Sequence, residues 1–125
     1  MGAGGLIPEG SLGQQAVNNL GGAPFTPIGA SGALNPHSSA NYVLTKAGVA
    51  AMTLGAPTAG VDDGVVIFIM SSTAQAHTVT ATGLFVDGAG HVKLATFAAN
   101  IGASFSIQAY QGKWYVLGTQ NVTMS

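Results

Sequence analysis

Two stretches decide the fold of this chain: VVIFIM at residues 65–70 and HTVTAT at residues 77–82. The first stretch is apolar at every position, which is typical of a central β-strand that is covered on both faces. The second stretch alternates, with threonines on one face and Val79 and Ala81 on the other. Together they predict successive strands of a β-sheet, the second with one polar face.

Similar short runs surround these two stretches. ASFSIQA at residues 103–109 alternates cleanly, and in KWYVL at residues 113–117 we expect Trp114 to face the core and Tyr115 to face outward. Further strands are predicted at residues 42–45, 51–54, 91–97 and 122–124. Glycine-containing turn signals separate the runs at Asp62-Asp63-Gly64, Asp87-Gly88 and Gln111-Gly112. Short strands at this spacing predict an all-β fold, a small antiparallel sandwich or barrel.

Residues 1–40 differ in composition from the rest of the chain. They are rich in glycine, and Pro8, Pro24, Pro27 and Pro36 interrupt any regular element. The segment still carries apolar side chains, in which a disordered linker is normally poor. We therefore predict an extended Gly/Pro-rich arm over residues 1–40 and a β-domain over residues 41–125, with a frayed tail as the alternative reading of the arm. The candidate partner-binding residues of the arm are Leu6, Ile7, Pro8, Phe25 and Ile28.

Charged residues are unusually scarce. They make up 6% of the 125 residues, with a net charge of −1, against about 25% in ordinary soluble domains. A folded monomer of this size exposes roughly 6,000 Å², and so few charges keep an isolated monomer poorly solvated. We therefore expect copies of the chain or other proteins to cover much of its surface. Without a basic cluster, neither nucleic acid nor a membrane is expected as a partner.

The sequence lacks the usual motifs of catalysis and metal binding. Its four acids fall in turns or in the arm, and no nucleophile elbow, cysteine or phosphate-binding loop occurs. His37, His77 and His91 lie in different segments, without the close pairs of a zinc site. Asp62-Asp63-Gly64 lacks the full spacing of a calcium loop. The sequence therefore predicts a protein that is not an enzyme and holds no cofactor or metal.

Five segments of the predicted β-domain carry a family resemblance. They are YVLTKAGVAAMTLGAP at residues 42–57, Asp62-Asp63-Gly64, AHTVT at residues 76–80, ATFAA and GAS at residues 95–99 and 102–104, and GKWYV at residues 112–116. In this order they resemble small structural proteins of tailed bacteriophages, found as head decoration (cement) proteins and as β-domains of virion fibres. The resemblance implies an all-β fold, self-association around a threefold axis and a place on the capsid exterior. For the arm, pairing with capsid backbone is an expectation by analogy only.

Composition and resemblance together predict a capsid decoration protein that binds the outside of the phage head and bridges capsid subunits. Its expected partners are the major capsid protein and further copies of itself, as a homotrimer. The alternative is a fibre, spike or tail-associated β-domain of the virion. A major shell or tube subunit is a third reading, and a bacterial carbohydrate-binding module is a more remote one. Two uncharged strand faces are candidates for self-association: Thr78, Thr80 and Thr82, and Ser104, Ser106 and Gln108.

Overall fold

The computed structural model describes residues 24–88 and 90–125, which form ten strands and no helix. None of these residues therefore belongs to a helix that could cross a membrane. The strands are β1 Phe25–Ile28, β2 Gly32–Leu34, β3 Ala40–Leu44, β4 Ala51–Leu54, β5 Val66–Ser71, β6 Thr78–Asp87, β7 Gly90–Phe97, β8 Ser104–Tyr110, β9 Lys113–Gln120 and β10 Val122–Met124.

The first six strands alternate between two layers. β1, β3 and β5 pair in parallel in one layer, whereas β2, β4 and β6 pair in parallel in the other. The register aligns Phe25 with Asn41 and Asn41 with Phe68 across the first layer. Neighbouring strands within a layer are therefore parallel, because the strand that connects them in the sequence lies in the other layer.

The last four strands close the structure. β6 and β7 form one hairpin and β8 and β9 another, and β8 pairs antiparallel with β5. β9 also pairs in parallel with the end of β6, where Trp114 aligns with Phe85. This pairing joins the two layers into one curled ten-stranded sheet. The all-β prediction is confirmed, although the sheet is mixed rather than purely antiparallel.

The core fills the space between the layers. Phe105 of β8 packs edge-to-face against Phe97 of β7 and Phe85 of β6, with ring centroids 5.8 and 6.0 Å apart. Trp114 is fully buried beside them, and its indole N–H donates to the carbonyl of Gly55 at 2.9 Å. The predicted inward position of Trp114 is therefore confirmed, and Tyr115 points outward.

The predicted hairpin turn between the last two long strands is also confirmed. Gln111 and Gly112 have φ values of 49° and 80°. Two successive residues with positive φ define a type I′ turn, whose twist matches that of the flanking strands. The turn fixes the relative register of β8 and β9, and so determines which of their side chains point outward.

The sheet begins upstream of the predicted boundary at residue 41. Within the predicted arm, residues 25–28 and 32–34 form β1 and β2, and Leu34 is buried in the core. Pro27 is compatible with a strand because β1 is an edge strand among the described residues. The backbone N–H that proline lacks would point to the unpaired edge, so no hydrogen bond between strands is lost. Any arm that extends from the β-fold therefore ends before Phe25.

Candidate interaction surface

The outward side of the first layer is a continuous uncharged surface. Strands β1, β3, β5 and β8 contain no charged residue. We call this surface the neutral face and define it by the outward residues Phe25, Val43, Val66, Phe68, Met70, Ser104, Ser106 and Gln108.

The cross-strand register places the apolar side chains of the neutral face side by side. Phe25 and Phe68 lie in one row on either side of Asn41, and their ring centroids are 6.2 Å apart. Val43 and Met70 are aligned in the next row. Phe25 remains 44% exposed, and the outward side chains of β5 (Val66, Phe68 and Met70) are half-buried. The β5 run was predicted to be covered on both sides, whereas the described residues cover only its inner side.

The neutral face also has a depression where β9 lacks a side chain. Gly118 aligns with Ser106, and a bulge between Val116 and Gly118 leaves a space of about 250 Å³ next to Phe68. The neutral face thus combines apolar side chains with uncharged polar ones and is not flat.

None of the residues that define the neutral face is charged, and the carboxylates of Asp62 and Asp63 are occupied by internal hydrogen bonds. Asp62 accepts from His37 Nδ1 at 2.6 Å and from the Thr58 N–H at 2.7 Å. The hydrogen bond from His37, and next that from Thr58, hold the pKa of Asp62 below its usual value. Asp63 accepts from the Gly60 N–H and from both the backbone N–H and side chain of Gln111. The two carboxylates therefore fasten the β4–β5 loop to its neighbours.

The second layer has a different outward surface. Thr78 of β6 aligns with Thr96 of β7, which aligns with Thr123 of β10, and Thr80 aligns with Thr53 of β4. We call these five residues the threonine face. It is more polar than the neutral face, and it lies on the other side of the core.

The structure separates the two predicted self-association sets. Ser104, Ser106 and Gln108 lie on the neutral face, whereas Thr78 and Thr80 lie on the threonine face. Thr82 is exposed next to Gly83, where the β6–β7 register shifts. One flat contact cannot use both sets, because the core lies between them. Self-association itself stays a prediction.

The predicted arm residues are divided in a similar way. Leu6, Ile7 and Pro8 lie outside the described residues. Phe25 and Ile28 belong to β1, with Phe25 on the neutral face and Ile28 packed against the core. Sequence reasoning assigned Phe25 to the arm and therefore missed its partner Phe68. The available signal was the uninterrupted apolar run of β5, which needs cover on its outer side.

The free edge of β1 is poorly suited to accept another strand. The Thr45 N–H donates to the Ile28 carbonyl at 2.9 Å, so Thr26 and Ile28 direct their backbone groups at β3. Phe25 and Pro27 direct theirs at the opposite edge, where no described strand pairs. Proline supplies no donor there, which weakens edge-to-edge pairing. This geometry favours the outer face of β1 over its edge as the contact surface.

His77 is fully buried and its ring nitrogens are both occupied. The Ala50 N–H donates to Nδ1 at 2.9 Å, so the proton is on Nε2, which donates to Thr73 Oγ1 at 2.8 Å. Burial, and to a lesser extent the charge of Lys46, lowers the pKa of His77. A neutral histidine in this position joins the loops around β4 and β6 and has no nitrogen left for a ligand. No group of three potential metal ligands occurs among residues 24–88 and 90–125, leaving aside the side chain of His91, which is outside the described part.

No protein-family model matches the chain, and none of the curated proteins searched matches it.

Proposed function

We propose that this protein is a capsid decoration protein of a tailed bacteriophage, which binds the outside of the head and stabilises contacts between capsid subunits. The observation that carries the proposal is the neutral face: a broad, uncharged and partly aromatic surface on a chain with few charges anywhere. Large exposed patches of this kind mark sites of protein–protein contact.

In this proposal the neutral face is the surface through which copies of the chain associate as a homotrimer. Phe68 lies in the middle of this face and Phe25 on its edge strand, with the serines and Gln108 as polar neighbours. The absence of charge allows close packing without burying an unpaired ion, which would cost several kcal/mol. The face is preferred to the threonine face because it offers aromatic anchors, the residue type enriched in interface cores.

The segment before β1 is assigned to the capsid. Residues 1–23 contain Leu6, Ile7 and Pro8 but only one charged residue, Glu9. A segment with apolar side chains gains binding energy by burying them on a partner, and three copies in a trimer would bind cooperatively through their linkage. Multiple bridges over a closed shell would then oppose its expansion.

The experiment is co-sedimentation of the purified protein with heads of the phage that encodes it. The deletion must remove residues 1–23 only, since β1 begins at Phe25. We expect the full chain to pellet with the heads and the truncated chain to remain in solution with an unchanged far-UV circular dichroism spectrum of the β-fold. A double substitution, Leu6→Ser with Ile7→Ser, is the finer variant, and Glu9→Gln is its matched control.

Two outcomes would contradict the proposal. If the folded, truncated chain still pelleted with heads, the N-terminal segment would not be the capsid-binding element. If the full chain did not bind heads at all, decoration itself would be refuted. The second candidate, a fibre, spike or tail-associated β-domain, predicts binding to tails or fibres and only a few copies per virion, so densitometry of purified virions separates the two functions.

A further inference from the structure

A second depression lies at the hairpin end of the first layer. It has a volume of about 430 Å³ and is lined by Gly64, Gln108, Ala109, Tyr110 and Tyr115. We call it the tyrosine depression. Tyr110 and Tyr115 are 55% and 40% exposed, and their rings meet at 64° with centroids 5.9 Å apart. Two large aromatic rings thus form an exposed, angled wall, in a depression of a size suited to small ligands.

The polar groups of the tyrosine depression are neutral and able to bind a ligand. Gln108 Nε2 donates to the Gly64 carbonyl at 3.4 Å, which leaves its Oε1 as an acceptor. The hydroxyls of Tyr110 and Tyr115 have no hydrogen-bond partner among the described residues. Each hydroxyl can donate and accept, so the depression offers both kinds of hydrogen bond beside apolar ring faces.

Charged groups next to the depression are already bound elsewhere. Asp63 is occupied by the Gly60 N–H and by Gln111. Lys113 Nζ donates to the Gly83 carbonyl at 3.3 Å. None of the residues that line the depression is charged, so a charged ligand would find no ion-pair partner in its wall. The electrostatics therefore favour an uncharged ligand.

The depression is also held in shape before any ligand arrives. The type I′ turn fixes the positions of Tyr110 on β8 and Tyr115 on β9, the two strands of the hairpin. Asp63 fastens Gln111 to the β4–β5 loop that carries Gly64. A site ordered in advance loses less entropy when it binds a ligand.

We propose that the tyrosine depression binds a neutral carbohydrate. A sugar ring has an apolar C–H face and a border of uncharged hydroxyls, which matches an aromatic wall next to an amide and two phenols. The C–H face packs on Tyr115 and Tyr110, and the hydroxyls bond to Gln108 and the tyrosine oxygens. This inference goes beyond the decoration function: the site is complete within one chain, and of its lining residues only Gln108 also belongs to the neutral face.

Saturation-transfer difference NMR with the full-length protein tests the proposal. The probes are maltotriose and N,N′-diacetylchitobiose as neutral saccharides, and 3′-sialyllactose as a charged one. We expect a neutral saccharide to bind, and Tyr115→Ala to weaken that binding about tenfold, the equivalent of ~1.4 kcal/mol. Tyr115→Phe keeps the ring and should retain most of the affinity. Leu117→Ala, on the same strand and 56% exposed outside the depression, is the matched control and should bind like the original protein.

Three results would overturn the proposal. One is the absence of saturation transfer to either neutral saccharide at millimolar concentration. Another is binding that Tyr115→Ala leaves unchanged or that is stronger for the sialylated probe. The third is a lower molar mass of Tyr115→Ala in light scattering, which would place the tyrosines between copies of the chain. Capsid binding is measured separately by co-sedimentation, so a failure here leaves that result unaffected.

Discussion

If copies of the chain associate through the neutral face as proposed, replacement of Phe25 by lysine should dissociate them. Phe25 is 44% exposed on the neutral face and contacts Phe68 across β3. A phenylalanine side chain offers about 200 Å², so about 90 Å² remains to be covered by a neighbour. At ~25 cal/mol per Å², covering this area contributes ~2 kcal/mol per copy. Loss of that area alone weakens association about thirtyfold.

The lysine has a second effect, because its ammonium group would enter an interface without a charged partner. Leaving such a charge unpaired costs several kcal/mol more. We therefore expect Phe25→Ala to weaken association about thirtyfold and Phe25→Lys to abolish it at micromolar concentration. Sedimentation equilibrium over a concentration series measures both constants.

The control substitutions separate the neutral face from other exposed positions. Val61 is 79% exposed in the β4–β5 loop, and Thr53 is exposed on the threonine face. Val61→Lys and Thr53→Lys add the same charge and should associate like the original protein. The reasoning is refuted if Phe25→Lys, still folded by thermal denaturation, keeps its oligomeric mass, or if Thr53→Lys is the variant that dissociates.

Three further perturbations test the structure around this surface. Burial lowers the pKa of His77, so below about pH 6.5 the unfolded chain binds a proton more readily than the folded chain does, and the free energy of unfolding should decrease as the pH is lowered. Urea midpoints measured from pH 8 down to pH 5 should show this decrease, and it should be smaller in His77→Asn. Trp114→Phe removes the N–H that binds the Gly55 carbonyl and should cost about 1–3 kcal/mol in urea unfolding, while an unchanged midpoint would dismiss that hydrogen bond. Pro27→Val restores an N–H at the free edge of β1 and should increase large aggregates in dynamic light scattering; equal scattering would show that proline does not protect the edge.

Local patterns in the sequence predict much of the sheet but not its pairing. The alternation of HTVTAT and ASFSIQA correctly indicates which side chains face the core, since neighbouring residues of a strand point to opposite faces. It does not say which strands are neighbours. Phe25 and Phe68 are brought together only because β1, β3 and β5 return to one layer, and nothing in the residues between them specifies that return.

Other features escaped the sequence because their partners are distant. The prolines at positions 24 and 27 suggested an arm, although an edge strand tolerates proline. Asp62 and Asp63 read as turn residues, yet their carboxylates bind His37 and Gln111, which lie in different loops. The tyrosine depression combines residues of β8 and β9 with Gly64 of the β4–β5 loop. Such sites depend on tertiary contacts that no short motif encodes.

The alternation of strands between layers also affects how the chain is made. The first layer needs β1, which starts at residue 25, and β9, which ends at residue 120. Neither layer is complete until strands from both ends of residues 25–124 are available, and pairings between such distant segments form slowly. The neutral face therefore arises in the same step as the interior. A chain synthesised only as far as β5 would still lack Ser104, Ser106 and Gln108 of that face.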